Sequence, residues 1–138
     1  MCKERCMISA RELMRAHIRN LQNDFAAWRA LFADDAVMEF AFGASAGVAS
    51  PCRGIDEIAA SVKGFLDSVQ DFKISGVIIY QIEGDDAVIA EFSGTANVAA
   101  TGRTYNQDYI VYLRAQDGKI IHVREYFDPA RTVAAFRA

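Results

Sequence analysis

Glu125 is the residue of this sequence whose surroundings most clearly indicate chemistry. It lies between Val123 and Phe127, and all three share one face of an extended strand because side chains alternate along it. A carboxylate among apolar side chains loses hydration, which disfavours the charged form and raises its pKa. A carboxyl group that titrates near neutral pH is suited to act as a general acid or base. We therefore predict that Glu125 lies in a pocket.

The turn at Asp117-Gly118 determines which residues of the preceding strand would join Glu125. This dipeptide is a strong signal for a two-residue hairpin turn, which pairs Gln116 with Lys119. If pairing continues without interruption, Ile110 lies opposite Glu125. The residues predicted to share the pocket face are then Asp108, Ile110, Tyr112, Val123, Glu125 and Phe127.

Two polar residues of this set, Asp108 and Tyr112, are predicted to act together with Glu125. Asp108 would be a diagonal neighbour of Glu125, with Cβ atoms about 7 Å apart, and a second carboxylate would push the two pKa values apart. Tyr112 would donate a hydrogen bond to a substrate oxygen. A structural alternative stays open, in which Glu125 pairs with Arg29 or Arg53 and has no chemical role.

His17 is a further candidate because it lies on the inner side of the first predicted helix, with Leu13, Met14 and Leu21. A lone histidine on an apolar helix face is more often a satisfied structural group than a catalyst. A catalytic role requires that this helix cover the pocket. Both interpretations stand at this point.

Cysteine and metal-ligand patterns predict no metal centre. Cys2 and Cys6 form a C-x3-C pair, but no second pair of Cys or His follows at the spacing of a zinc site. Cys52 is the third cysteine, so free thiols are expected. The sequence also lacks a glycine-rich phosphate loop, a G-x-S-x-G elbow and an H-E-x-x-H helix. We therefore expect no metal centre.

Length and charge narrow the class of protein. The chain has 138 residues, which fits one domain over residues 1–138 with a core at about 9–136. Its net charge is -3, without the basic stripe typical of nucleic-acid binding. No segment approaches the roughly 20 apolar residues of a membrane helix. The N-terminus lacks the apolar run of a signal peptide. We expect a cytoplasmic protein with neither a nucleic-acid nor a membrane partner.

Helices are predicted in the first half of the chain and strands in the second. Ser9 and Glu12 form a capping box that begins a first helix, Asp24 caps a second, and a third begins after Gly54. A short strand at 36–42 precedes the third helix. Longer strands are predicted at 72–82, 87–98, 103–114 and 119–127. This order predicts an α+β fold with helices packed on one face of an antiparallel sheet.

The opposite face of the predicted sheet is also apolar. Uninterrupted pairing places on it Tyr105, Tyr109, Val111, Leu113, Ile120, His122, Arg124 and Tyr126. A broad exposed apolar face usually marks an interface. We predict a homodimer through Tyr109, Val111, Leu113 and Tyr126. The alternative is that these rings pack only on each other.

The order of these segments resembles the NTF2-like superfamily, and within it SnoaL-like and ketosteroid-isomerase-like proteins. Residues 31–39 (LFADDAVME) are similar to an opening segment of many members, and residues 53–58 (RGIDEI) to the start of their third helix. The last three strands are matched by residues 101–103, 117–120 and 124–129. The resemblance implies a cystatin-like cone, in which a curved antiparallel sheet packs against about three helices and encloses an apolar pocket. Such proteins are often dimeric and usually have no cofactor.

Functional positions of two branches of this superfamily match different residues here. The catalytic aspartate of ketosteroid isomerases matches Phe40 and their second aspartate matches Ile110, so that chemistry does not carry over. The C-terminal strands are more similar to the phenazine biosynthesis A/B type, whose acid/base glutamate matches Glu125. The histidine that partners this glutamate matches Ser61. The resemblance therefore implies half of that catalytic pair.

Three functions follow, in order of preference. The first is cofactor-free acid/base catalysis of isomerase, cyclase or dehydratase type on a small apolar or carbonyl-containing compound. Glu125 would transfer the proton, Asp108, Tyr112 and His17 would orient the substrate, and the apolar wall would comprise Trp28, Phe40, Phe42 and Phe127. The second is binding of a small apolar molecule without catalysis. The third is a protein-interaction domain that uses the outer sheet face.

Overall fold

The fold is a curved, open six-stranded sheet with four α-helices, in a computed structural model that describes residues 7–138. The helices are α1 (Ala10–Asn23), α2 (Phe25–Arg29), α3 (Ile55–Asp67) and α4 (Pro129–Phe136). The strands are β1 (Phe32–Phe40), β2 (Cys52–Arg53), β3 (Val69–Gln81), β4 (Ala87–Val98), β5 (Thr104–Gln116) and β6 (Lys119–Phe127). Their order in the sheet is β2-β1-β6-β5-β4-β3, and only the β1–β6 pair is parallel. The predicted α+β class is confirmed.

Side-chain caps fix the helices at the N-terminal end of the described chain. The Ser9 hydroxyl accepts a hydrogen bond from the Glu12 backbone N–H, and the Glu12 carboxylate accepts one from the Ser9 N–H. The Asp24 carboxylate accepts from the Ala27 N–H at 3.0 Å and so begins α2 one residue after α1 ends. Both predicted caps are confirmed. The short link holds α1 and α2 against each other.

The predicted strands are present, with one helix that the prediction lacked. Strands β4 and β6 have the predicted bounds, whereas β1 begins at Phe32, four residues before the predicted start at Ala36. Helix α4 follows β6 directly, because the Asp128 carboxylate caps it by accepting from the Ala130 N–H and Pro129 occupies its first turn. This helix covers one end of the sheet.

A one-residue bulge at Ile121 changes the register of the β5–β6 hairpin. Asp117 and Gly118 both have positive φ (53° and 76°), as a type I′ turn requires, and Gln116 pairs with Lys119 as predicted. Beyond the turn, Ala115 pairs with Ile120, but Arg114 pairs with His122. Ile121 is therefore left unpaired in the ladder, which is the definition of a bulge.

This bulge makes the predicted pairing wrong for the rest of the hairpin. A one-residue shift moves every side chain of one strand to the other face relative to its partner. Val111, not Ile110, lies opposite Glu125, and Tyr109 lies opposite Phe127. The face covered by helices, here called the inner face, carries on β5 and β6 Tyr105, Gln107, Tyr109, Val111, Leu113, Val123, Glu125 and Phe127. The outer face carries Asp108, Ile110, Tyr112, His122, Arg124 and Tyr126.

The hydrophobic core lies between the inner face and the helices. The largest fully buried apolar side chains are Leu13, Met14, Trp28, Met38, Ile58, Leu113 and Ile120. Cys52 is buried with a free thiol, as predicted, while Cys2 and Cys6 lie outside the described residues. Within residues 7–138 no helix has the length and apolar character needed to cross a bilayer.

The dimer face predicted from the sequence is wrong in its composition. Tyr109, Val111 and Leu113 are buried on the inner face, and only Tyr126 lies on the outer one. The outer face exposes a different apolar set, in which Ile78 is 51%, Tyr80 47% and Ile110 46% exposed.

Removing the cap of α1 tests whether local interactions hold this helix in place. Ser9→Ala should lower the free energy of unfolding by about 1 kcal/mol, because the Glu12 backbone N–H loses the hydroxyl that accepts from it. Urea denaturation followed by circular dichroism measures this change. Ser45→Ala, on an exposed 3-10 turn, should change it by less than about 0.5 kcal/mol. Equal effects of the two substitutions would contradict the assignment.

Candidate functional site

A cavity of about 320 Å³ lies between the inner face of the sheet and the helices. Its wall is mainly aromatic and aliphatic, and it includes Leu21, Trp28, Met38, Phe40, Val48, Val62, Phe65, Phe72, Phe92, Phe127 and Phe136. Its polar members are His17, Ser61, Ser68, Tyr105, Tyr109, Glu125 and Thr132. We call this space the inner cavity. A mostly apolar cavity with a few convergent polar groups is the usual form of a small-molecule site.

Glu125 projects into the inner cavity from β6. Its partners in the sheet are Phe40 on β1 and Val111 on β5, so apolar side chains flank it on both sides. Burial raises the pKa of Glu125 from 4.5 to about 7. The carboxylate is therefore divided between its charged and neutral forms at neutral pH.

The alternative that Glu125 is neutralised by an arginine is wrong. Arg29 pairs with Asp56, and neither Arg29 nor Arg53 forms an ion pair with Glu125. Within residues 7–138, no side chain donates a hydrogen bond to the Glu125 carboxylate. The carboxylate is thus placed for chemistry with an occupant of the cavity.

Tyr105 and Tyr109 form a hydrogen-bonded pair of phenols in the same cavity. Their hydroxyl oxygens are 2.5 Å apart, and both side chains are buried. Burial raises the pKa of both phenols, and the nearby Glu125 charge raises them further. Both are therefore neutral at pH 7. The pair carries two protons, and the bond between the two hydroxyls uses one of them.

His17 reaches the inner cavity from α1. The Trp28 indole N–H donates to its Nδ1 at 2.8 Å, and the side chain is only 2% exposed. Burial lowers the pKa of His17 to about 4, so the ring is neutral at pH 7. Because Nδ1 accepts, the ring proton lies on Nε2, which has no hydrogen-bond partner within residues 7–138. An unpaired buried N–H costs about 1–3 kcal/mol.

The remaining predicted site residues divide between the two faces. Trp28, Phe40 and Phe127 line the inner cavity as predicted. Val123 lies next to Glu125 on the same face but is buried in the core and does not reach the cavity. Ser61 lines the cavity on α3.

Four predicted site residues lie on the outer side, so their predicted placement is wrong. Asp108 accepts from the Ser93 hydroxyl at 2.7 Å and pairs with Arg131 at 3.0 Å, and these contacts lower its pKa. Ile110 and Tyr112 follow Asp108 outward because the Ile121 bulge moves even-numbered β5 residues there. Phe42 is 55% exposed and packs edge-on against Tyr126. Glu91 is also exposed, opposite Ile110.

The outer face has a hollow of its own, which differs from the inner cavity. Its volume is about 500 Å³, and it is lined in part by Phe42, Glu91, Ser93, Asp108, Ile110 and Tyr126. These side chains are solvated, and Asp108 is already hydrogen-bonded. These contacts lower the pKa of Asp108, so this carboxylate stays charged near pH 7. The inner cavity is therefore the better candidate site.

Sequence reasoning missed the two tyrosines as cavity residues. Their spacing of four places both on one face of a strand, and that part was derived correctly. The assignment of both tyrosines to the outer face was wrong, because it assumed a β5–β6 pairing without the bulge at Ile121. Ser68 and Thr132 were also missed, since the first follows the predicted third helix and the second lies on the unpredicted α4.

Comparisons with known proteins show the family and the fold of this chain. Residues 11–123 match the model of the SnoaL-like domain. A PhzA/B-like protein of Pseudomonas aeruginosa is 30% identical over 129 residues, which are 93% of this chain and 90% of that protein. The crystal structure of an NTF2-like protein from Burkholderia thailandensis has a TM-score of 0.81 at 21% identity, covering 96% of this chain and all of that one.

A phenazine biosynthesis-related protein from Pseudomonas aeruginosa has the same fold, with a TM-score of 0.77 at 18% identity and coverage of 91% and 83% of the two chains. The resemblance inferred from the sequence is confirmed by these matches.

The raised pKa of Glu125 predicts a pH-dependent stability difference. Its folded pKa of about 7 exceeds the ordinary 4.5, so the folded state holds this proton more tightly. Wild type should therefore lose stability relative to Glu125→Gln as pH rises from 4.5 to 7, with no further loss above. The shift corresponds to about 3 kcal/mol. Urea unfolding of both proteins at pH 4.5, 6 and 8 measures it, and a difference that does not change with pH would contradict it.

Proposed function

We propose that this chain, which belongs to the SnoaL-like domain family, performs cofactor-free acid/base chemistry in the inner cavity on a small carbonyl-containing compound. The observation that carries this proposal is the unpaired carboxyl of Glu125, held at a pKa of about 7 in an apolar enclosure. A base with this pKa combines a useful ionised fraction at neutral pH with enough basicity to accept a proton.

The central step would be proton transfer at a carbon next to a carbonyl group. The Glu125 carboxylate accepts the proton from that carbon, and the carbonyl oxygen takes up the negative charge as an enolate. Glu125 then returns the proton to another position of the same compound. Isomerisation, cyclisation and dehydration share the abstraction and differ in where Glu125 returns the proton. It goes to another carbon in an isomerisation, to the alkoxide formed as the enolate carbon attacks a second carbonyl in a cyclisation, and to a hydroxyl that leaves as water in a dehydration.

Hydrogen-bond donors in the cavity support the same step. Neutral phenols and an N–H group stabilise charge that develops on a substrate oxygen, and they do so strongly where water is excluded. The cavity offers the Tyr105–Tyr109 pair on β5 and the Nε2–H of His17 on α1. We therefore assign the orientation of the substrate, which the sequence predicted for Asp108, Tyr112 and His17, to Tyr105, Tyr109 and His17.

Binding without catalysis is the second candidate, because Glu125 is the only carboxylate among the cavity-lining residues that the structure describes, and Ser61 cannot serve as its acid/base partner. The third hypothesis, a protein-interaction domain, requires a filled or collapsed pocket. The open space of about 320 Å³ argues against it.

Deuterium exchange at a model ketone tests the proposal without a known substrate. The protein should accelerate exchange of the acidic C–H groups of 2-tetralone in D₂O, followed by proton NMR. Glu125→Gln should lower this acceleration by about 10²–10⁴-fold, the usual contribution of a general base. Glu91→Gln makes the same change on the outer face and should leave the rate unchanged.

The two candidate functions give different results in this assay. Binding of 2-tetralone is detected by the fluorescence of Trp28, which is the single tryptophan and lies in the cavity wall. Binding without exchange would assign the chain to the non-catalytic class. Exchange that survives Glu125→Gln would remove Glu125 from the mechanism.

We also propose that the outer face joins two copies of this chain. The exposed Ile78 and Ile110 flank Glu91 across three adjacent strands, and Tyr126 continues the row beside Ile110. Both signs of charge border this row, in the Glu39–Arg124 and Asp108–Arg131 pairs. Such a face can meet a copy of itself across a two-fold axis.

Sedimentation velocity tests the proposed dimer at about 50 μM protein. Wild type should sediment as a dimer, and Ile110→Lys as a monomer, because a charge would be buried at the centre of the interface. Ala26→Lys, on the exposed surface of α2, is the control and should stay dimeric. Wild type that sediments as a monomer would overturn the proposal.

A further inference from the structure

We propose that Trp28 fixes His17 as a permanent hydrogen-bond donor to the inner cavity, and that the occupant of the cavity carries an acceptor oxygen at the α1 end. The inference rests on the proposed function only in taking the inner cavity as the ligand site. Trp28 is then a positioning residue, because it acts on the ligand through His17.

The hydrogen bond between Trp28 and His17 sets the tautomer of the imidazole. An indole N–H can only donate, so Nδ1 of His17 must be its unprotonated nitrogen, and the ring proton lies on Nε2. His17 at neutral pH therefore cannot accept a proton at Nε2. This excludes the general-base role that a histidine at this position would otherwise suggest.

The packing of Trp28 makes this arrangement rigid. Trp28 is fully buried between Phe25 and Phe32, at ring-centroid distances of 5.2 and 4.7 Å. Asp24 joins α1 to α2 with no intervening loop, and its backbone N–H closes α1 by donating to Asn20 while its side chain caps α2. The indole thus has little freedom to turn away from the imidazole.

The unpaired Nε2–H of His17 indicates a position where a ligand atom binds. His17 is a lining residue of the inner cavity, it is 98% buried, and its Nε2–H has no partner within residues 7–138. Most buried polar groups in proteins are paired, so an unpaired one in a cavity wall marks a position for an acceptor. A ligand group that can only donate, such as an ammonium or an amide N–H, would place two donors against each other at this end.

The charges of the cavity narrow the class of ligand. Among its lining residues within 7–138 there is no lysine or arginine, and the one carboxyl group is Glu125. An anionic compound would face this carboxylate with no cation to balance it, which is costly in an apolar space. The structure therefore assigns to the cavity a largely apolar compound without negative charge, with a ketone, ester or ether oxygen toward His17.

Nitrogen NMR tests the tautomer directly. The chain has two histidines, so ¹⁵N-histidine spectra of wild type and His122→Gln identify His17. At pH 7, His17 should show a protonated Nε2 and an unprotonated Nδ1. Replacing Trp28 biosynthetically with benzothienylalanine removes the N–H but keeps the shape, and this should allow a substantial Nδ1–H population. Phe25→Leu, which keeps the indole N–H, should leave the tautomer unchanged.

Two results of this experiment would overturn the inference. One is a protonated Nδ1 in wild type. The other is an Nε2–H tautomer that persists undiminished when Trp28 carries no N–H.

Matched ligands test the acceptor. Wild type should bind 2-tetralone about tenfold more tightly than tetralin, its analogue without the oxygen, and should bind 2-naphthoate weakest because it is anionic. His17→Phe should remove the preference for 2-tetralone over tetralin. Equal binding of the two, no saturable binding of either, or a preference that survives His17→Phe would overturn the assignment of His17 as the donor to the ligand.

These readouts separate the inference from the proposed function. The tautomer and the preference for 2-tetralone depend on His17 and Trp28 and do not require Glu125. A ketone that binds with the predicted preference, but exchanges no deuterium, would support the inference and refute the catalytic proposal.

Discussion

The bulge at Ile121 is the constraint on which the site depends. Without it, the β5–β6 hairpin would place Tyr109, Val111 and Leu113 on the opposite face from Val123, Glu125 and Phe127, and half of these side chains would face solvent. With it, both apolar sets lie under the helices. The same residue shift places the two tyrosine hydroxyls and Glu125 in one enclosure and turns Asp108 outward to Ser93 and Arg131. A single unpaired residue thus determines the composition of the cavity.

The cavity concentrates polar groups that the fold leaves incompletely paired. Glu125 has no cation, and His17 has one free N–H within the described chain. Each lowers the free energy of unfolding, since buried polar groups cost energy unless they are paired. Such groups are expected where a ligand completes the pairing, because strained and unsatisfied positions cluster at functional sites. The apolar walls supply both the shape of the site and the shift in the Glu125 pKa.

Local signals in the sequence predicted most of the elements. The Ser9–Glu12 capping box, the Asp24 cap and the Asp117-Gly118 turn each depend on a few neighbouring residues, and all three are present as predicted. The choice of Glu125 also depended only on alternation within one strand. The roles given to Asp108, Ile110 and Tyr112 depended on pairing between strands, and there the Ile121 bulge intervened. One feature of the sequence could have indicated the bulge. Uninterrupted pairing placed large apolar side chains on both faces of the hairpin, whereas a shift of one residue brings most of them to the same face.

The most direct test of the central claim is the titration of Glu125 itself. Carbon NMR of protein labelled at the glutamate side-chain carboxyl, with Glu125→Gln to assign the resonance, gives its pKa. A resonance that titrates at about 7 would agree with an unpaired carboxyl in an apolar cavity. A midpoint near the ordinary 4.5 would show that the carboxylate is solvated or paired, and would contradict the assignment of Glu125 as the acid/base group.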